Sequence, residues 1–258
     1  MLLEQARGVI MGVANRRSLA WAIARRCAAE GARLAFSVLD ERTEAKVRPL
    51  VEEELGPGHL VARCDVGRDE ELDAFFQAVD AYLEGAPLDF CVHSIAYAQR
   101  QDLEGRFLDT SRDGFRIALE VSTYSLVAAA QRAAPRMRQG GALLTLSYLG
   151  AERVFPGYNV MGVAKAALEA AVRYLAADLG PQGIAVNAIS AGPIQTLSAR
   201  GIRGFARILE HYAAHAPLRR TIEAEEVAAV AAFLLSRRAR AITGEVVHVD
   251  AGYHAMGM

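Results

Sequence analysis

The chain is poor in cysteine. Cys27, Cys64 and Cys91 are its three, far apart and without a Cys-x-x-Cys pair or a neighbouring histidine cluster, which excludes a disulfide framework and a zinc site of ordinary spacing. They are expected as small buried residues, and no metal is expected. Excess charge of one sign is also missing: 29 Lys and Arg against 30 Asp and Glu leave a net charge of −1, too little to steer nucleic acid or to hold an anionic membrane. No apolar run approaches the roughly 18 residues of a membrane span, and the opening Met1–Arg7 lacks the basic stretch and apolar run of a secretion signal. A soluble, cytoplasmic protein is predicted. No internal repeat, low-complexity tract or Pro/Gly-rich linker divides the 258 residues, 52% of them apolar. The expectation is one domain over 1–258.

What is present is alternation. Short apolar runs at 8–13, 32–38, 60–64, 89–93, 141–147, 184–189 and 245–249 alternate with helical patterns at 18–30, 42–55, 68–84, 110–138, 157–180 and 223–236. That rhythm predicts an α/β, doubly wound Rossmann-type domain with a seven-stranded parallel sheet flanked by helices. One connection stands out: residues 192–217 are broken by Gly201 and Gly204 and carry Leu197, Ile202, Phe205, Ile208 and Leu209. A long segment at the carboxyl edge of such a sheet is expected to act as a substrate lid, with a surface helix pair as the plain alternative.

The first strand runs into Gly12-Val13-Ala14-Asn15-Arg16-Arg17-Ser18-Leu19, a turn that aims helix N–H groups at a phosphate. The general Gly-x-Gly-x-x-Gly pattern fails, since only Gly12 is a glycine. The second strand ends at Leu39-Asp40-Glu41-Arg42, where the acidic pair favours NADH by accepting from ribose hydroxyls. NADPH is the alternative, through Arg42 and a 2′-phosphate. The fourth strand ends in His93, a common acid–base residue near neutrality.

The most informative pair is Tyr158 and Lys165, seven positions apart, which on a continuous helix share one face two turns apart. The ammonium is expected to anchor a cofactor and lower the phenol's pKa, while the phenol donates to a carbonyl oxygen that gains charge during hydride transfer. Ordinary short-chain dehydrogenases place Tyr four positions before Lys. Here that residue is Met161, which has no proton to donate.

The wider spacing resembles the NADH-dependent enoyl-acyl-carrier-protein reductases, a divergent branch of the short-chain dehydrogenase/reductases, and the likeness runs from Gly8 to Met258. It includes a Gly-x5-Ser turn at Gly12 and Ser18, the segment Val92-His93-Ser94-Ile95-Ala96-Tyr97-Ala98, the segment Thr145-Leu146-Ser147-Tyr148-Leu149-Gly150, and Asn187-Ala188-Ile189-Ser190-Ala191-Gly192-Pro193-Ile194-Gln195-Thr196-Leu197. The resemblance implies Tyr158, Lys165 and Tyr148 as catalytic residues. It assigns His93 no proton transfer, which leaves packing at the sheet end as its expected role. It implies cofactor contacts at Gly12, Ala14, Ser18, Leu19, Leu39, Asp65, Val66, Ser94, Ile95, Ala96, Lys165, Ile194 and Thr196, with Asp65 near the adenine, Ile194 at the carboxamide and Thr196 near the pyrophosphate. Ala98, Tyr148 and Tyr158 would meet the substrate, a trans-2-enoyl thioester on acyl carrier protein in type II fatty acid biosynthesis, and the assembly would be a homotetramer. Two other readings compete: a carbonyl reductase acting on 3-oxoacyl thioesters, and a non-catalytic dinucleotide-binding redox sensor.

Overall fold

A computed structural model describes residues 1–194 and 205–257. Its seven strands are β1 (Arg7–Met11), β2 (Arg33–Val38), β3 (Leu60–Arg63), β4 (Phe90–His93), β5 (Gly141–Ser147), β6 (Ile184–Ala191) and β7 (Val246–Val249). All pair in parallel, in the order β3-β2-β1-β4-β5-β6-β7. This is the doubly wound arrangement, in which the chain reverses its direction of winding between β1 and β4 and opens a crevice at the carboxyl ends of those strands.

Side-chain alternation divides the core across the sheet. Ile10, Leu34, Phe36 and Val38 face one cluster with Trp21 and Ile23, while Val9, Met11 and Ala35 face the other with Phe75 and Phe76. The long helices are α1 (Leu19–Ala29), α2 (Glu41–Glu54), α3 (Asp69–Leu83), α5 (Arg112–Leu119), α6 (Ser125–Ala133), α7 (Asn159–Leu179), α8 (Phe205–His215) and α9 (Ala224–Leu235), with a single turn, α4, at Arg100–Leu103. Among the described residues no helix is long and apolar enough to cross a membrane.

The expected single helix over 110–138 is corrected. It is three pieces, α5, a π-helical turn at Glu120–Tyr124 and α6, followed by a 3₁₀ turn at Ala134–Arg136. Hydroxyl side chains explain the break: Thr123 Oγ1 donates to the Ala164 carbonyl at 2.8 Å, Ser125 Oγ to Val121 O at 2.6 Å, and Ser122 Oγ to Tyr97 O at 3.0 Å. Ser125 Oγ competes for a carbonyl of the helix itself, while Ser122 and Thr123 tie the widened turn to Tyr97 and to α7. The apolar period survives the insertion, so the pattern reads as one helix.

Candidate active site

Parallel pairing alone brings most of the candidate residues to one edge. Gly12 follows β1, Leu39 follows β2, Asp65 and Val66 follow β3, Ser94 follows β4, Tyr148 follows β5, and Ile194 lies three residues beyond β6. Thr196, and the part of the expected lid from 195 to 204, lie outside the described residues.

At the first turn Gly12 adopts φ +91, and a Cβ there would collide with the Ser94 carbonyl oxygen. Only glycine allows β1 and β4 to part this closely. Ser18 is the N-cap of α1: its Oγ accepts from Trp21 N at 3.3 Å and donates to Asn15 O at 2.8 Å. The expected bond from Ser18 to a phosphate therefore requires that hydroxyl to leave Asn15. Leu19 and Ala20, the first residues of the helix, aim their N–H groups out of the same turn, a donor set that suits the pyrophosphate of a dinucleotide. Ala14 is exposed beside it.

Around the end expected to hold adenosine, Asp40 and Asp65 already have local duties. Asp40 is the N-cap of α2, accepting from Thr43 N at 2.7 Å, and hydrogen bonding from Thr43, its side chain first and then its backbone, holds its carboxyl below the usual range. Asp65 Oδ1 accepts from Gly67 N at 3.0 Å, bracing the turn into α3, while Val66 is buried in the core beneath. Leu39 is 58% exposed at the mouth of this region. Ser94 N extends the β1–β4 pairing by donating to Met11 O at 3.1 Å, and Ile95 and Ala96 continue along the crevice.

His93 is 1% exposed, with Nε2 2.8 Å from Ser125 Oγ and Nδ1 3.0 Å from Thr145 Oγ1. Burial, aided by the Lys165 charge, pushes its pKa down to about 3. It is a neutral, fully partnered packing residue, as the sequence suggests.

The chemistry gathers where β5 meets α7. Tyr148 and Tyr158 meet edge to face, ring centroids 5.0 Å apart, and Phe155 lies 5.0 Å from Tyr148. Gly150 makes this possible, since a Cβ there would lie 2.5 and 2.6 Å from Tyr158 ring carbons and 3.0 Å from Tyr148. Ala98 packs with Tyr158 in a small apolar cluster that also holds Met161, Val160 and Ala164. Met161 thus points into packing, away from any proton transfer.

Two expectations about the pair are corrected. Tyr158 is not within the helix but its N-cap, followed by Asn159 at φ +37, whose amide donates to Leu103 O and Gly105 O at 3.2 and 3.3 Å. The ring is thus set by this loop contact and by Gly150, not by helical periodicity alone. Nor is the phenol's pKa lowered. Burial raises it, reinforced by Tyr148 and Glu169, so Tyr158 stays a neutral donor. Lys165 is 6% exposed, and its ammonium donates to Leu146 O at 2.6 Å. Burial lowers its pKa to about 8 against an opposing contribution from Glu169. One of its three protons is engaged by Leu146 O.

Sequence reading missed Glu169 and Ser147, which are hydrogen-bonded in the interior, and Tyr212 of α8. Tyr212 stacks on Tyr253 at 3.8 Å, and its hydroxyl lies 3.4 Å from that of Tyr148. Glu169 could have been noticed, being one turn beyond Lys165. Tyr212 could not, since nothing local links positions 64 residues apart.

Comparison with known proteins identifies the family. The family model described as Enoyl-(Acyl carrier protein) reductase matches residues 12–254. An NADH enoyl-acyl-carrier-protein reductase of Bacillus cereus is 53% identical over 99% of both chains, and one of Rhizobium meliloti is 51% identical over 100% of this chain and 93% of its own. A crystal structure of the Bacillus cereus enzyme with NADP+ and indole naphthyridinone superposes with a TM-score of 0.97 at 52% identity, covering 100% of this chain and 99% of that one. The Anaplasma phagocytophilum reductase in complex with NAD gives 0.95 at 49% identity, covering 100% and 97%.

Proposed function

The chain belongs to the enoyl-(acyl carrier protein) reductase family, and from that premise we propose that it reduces the carbon–carbon double bond of a trans-2-enoyl thioester carried on acyl carrier protein, in fatty acid biosynthesis. The observation that carries the reading is the β5–α7 corner: two phenols in ring contact, backed by a buried ammonium on the adjoining helix.

NADH, when bound along the carboxyl edge, supplies the hydride that C3 of the substrate receives. Tyr158, kept neutral by burial, donates to the thioester oxygen as it acquires enolate charge, a donor whose worth rises away from water. Tyr148 walls the same space and fixes the thioester against Tyr158. Lys165 directs its two remaining protons at the nicotinamide ribose and places positive charge near the enolate. Protonation of C2, from Tyr158 or water, completes the reduction. Gly12, Ala14, Ser18 and Leu19 would hold the pyrophosphate, Leu39, Asp65 and Val66 the adenosine, and Ser94, Ile95, Ala96, Ile194 and Thr196 the nicotinamide half.

Residues 192–217 would close over the acyl chain, and the whole of 1–258 would act as one domain in a cytoplasmic homotetramer. With Asp40 committed to capping α2, NADH preference rests on its negative charge beside the ribose, which disfavours a 2′-phosphate, and not on a bond to the hydroxyls. The carbonyl-reductase alternative would need a donor at Met161, which is buried among apolar side chains.

The test follows nicotinamide absorbance with NADH and NADPH against crotonyl and longer enoyl thioesters, on coenzyme A and on acyl carrier protein, with a 3-oxoacyl thioester as control. Oxidation with enoyl but not 3-oxoacyl substrates is expected. Preference for the 3-oxoacyl thioester would identify a carbonyl reductase, and cofactor binding with no turnover of either would identify a binding protein.

A further inference from the structure

Glu169 is a buried carboxyl to which the reduction itself assigns no task. It is 7% exposed, and its hydrogen-bond partner is a neutral hydroxyl, Ser147 Oγ, which donates to Oε1. Lys165 stands one turn earlier on the same face of α7, donating to Leu146 O. Leu146 and Ser147 are consecutive at the end of β5. The strand end therefore grips the helix at two points one turn apart, and the next residue along the chain is Tyr148.

A staple between strand and helix does not need a carboxylate. Glutamine would accept the same bond from Ser147 at a much smaller desolvation cost, because burying a charge is far more expensive than burying an amide. An acid at this position points to use of its charge. We propose that Glu169 is a positioning residue for Lys165: the bond from Ser147 fixes its carboxylate where it keeps the ammonium charged and turned toward the cofactor ribose. The inference rests on the reading of Lys165 as the cofactor anchor.

The electrostatics at the ammonium run in the same direction. Burial pushes Lys165 down to about 8, and Glu169 opposes that loss. The Glu169 carboxyl itself lies above the usual range, raised by burial first and also by Glu152 from the turn after β5, against lowering by the bond from Ser147, by His248 of β7 and by Arg173 one turn further along α7. On its other side Lys165 is coupled to His93 of β4, which is neutral. Glu169 is the acid acting on the ammonium.

The experiment is direct titration of NADH binding from about pH 6 to about pH 10, a range that brackets the Lys165 proton, for the wild type, Glu169→Gln and Ser147→Ala, with a melting curve at each pH. Glu169→Gln keeps an acceptor for Ser147 and removes the charge, so the pH above which NADH affinity is lost should fall by about one unit, while affinity at the acid end stays near that of wild type. Ser147→Ala keeps the charge but frees it to turn away, and should move the same limb part of the way. A limb that stays in place in Glu169→Gln while the melting temperature drops would reduce Glu169 to a staple. If Glu169→Gln does not fold, an unmoved limb in Ser147→Ala overturns the proposal by itself. Wild-type protein that does not bind NADH overturns the cofactor reading as a whole, an outcome distinct from an unmoved limb.

Discussion

The first βα turn and the β5–α7 corner sit at the same edge of one sheet and solve opposite problems. The turn, from Gly12 to Leu19, is built for backbone: a glycine at φ +91, a hydroxyl that caps its own helix, and first-turn N–H groups aimed outward. Its side chains act locally, which is why Ala14 and Arg17 serve where a general Gly-x-Gly-x-x-Gly fingerprint has glycine. The corner is built from side chains. Tyr148, Tyr158, Lys165, Glu169 and Ser147 are buried or half-buried together, and Lys165 and the phenols have displaced proton affinities. Binding an anion through main-chain dipoles tolerates varied residues, whereas stabilising charge that develops in a reaction needs particular atoms held away from water.

The largest expected effect tests the backbone half. Gly12→Val places a branched Cβ against the Ser94 carbonyl at a left-handed φ, and should destabilise the fold by about 4 kcal/mol, read as a shift in the denaturant midpoint. An unshifted midpoint would mean that the turn adapts and that its glycine matters only to ligand. Next comes Tyr158→Phe, which should cost roughly 2 to 4 kcal/mol of transition-state stabilisation with stability and NADH affinity near wild type. Single-turnover hydride transfer is the measurement, and an unchanged rate removes this phenol from the chemistry.

The third effect separates burial for packing from burial for function. His93 has a folded pKa of about 3 against an ordinary 6.5. Above pH 6.5 both states are neutral. Below it the unfolded chain takes up a proton that the folded one refuses, so stability falls with pH until about 3, by about 1 to 2 kcal/mol at pH 5. His93→Gln should flatten that part of the stability profile; an unchanged slope would assign the acid sensitivity to other groups. The smallest effect is at the cofactor's far end. Asp40→Ser with Leu39→Arg keeps an N-cap for α2 while exchanging a carboxylate for a guanidinium, and should move the NADPH to NADH ratio of kcat/KM by about 1 kcal/mol. A wild type that already prefers NADPH would show Arg42 to be in control.

All seven strands and their parallel pairing were legible in the sequence. Strand and helix periods are local, and parallel pairing carries every βα turn to one edge, so Gly12, Ser94 and Tyr148 converge from positions far apart in the chain. The reading strayed where side chains intervene in backbone geometry. Ser122, Thr123 and Ser125 turn one apolar-periodic stretch into two helices around a π turn, and Asn159 at φ +37 places Tyr158 outside the helix it precedes.

By itself, then, the sequence determined the parallel sheet, the edge to which the βα turns are carried and the seven-position offset of Tyr158 from Lys165, because each follows from periods and spacings along a few consecutive residues. Only the tertiary structure decided what each ionisable group is. It made Tyr158 a neutral and not a lowered phenol, kept His93 neutral, gave Asp40 a helix to cap, and brought Ser147, Glu169 and Tyr212 to the β5–α7 corner. Proton affinity depends on desolvation and on neighbours in space, and neither is written in the order of the residues.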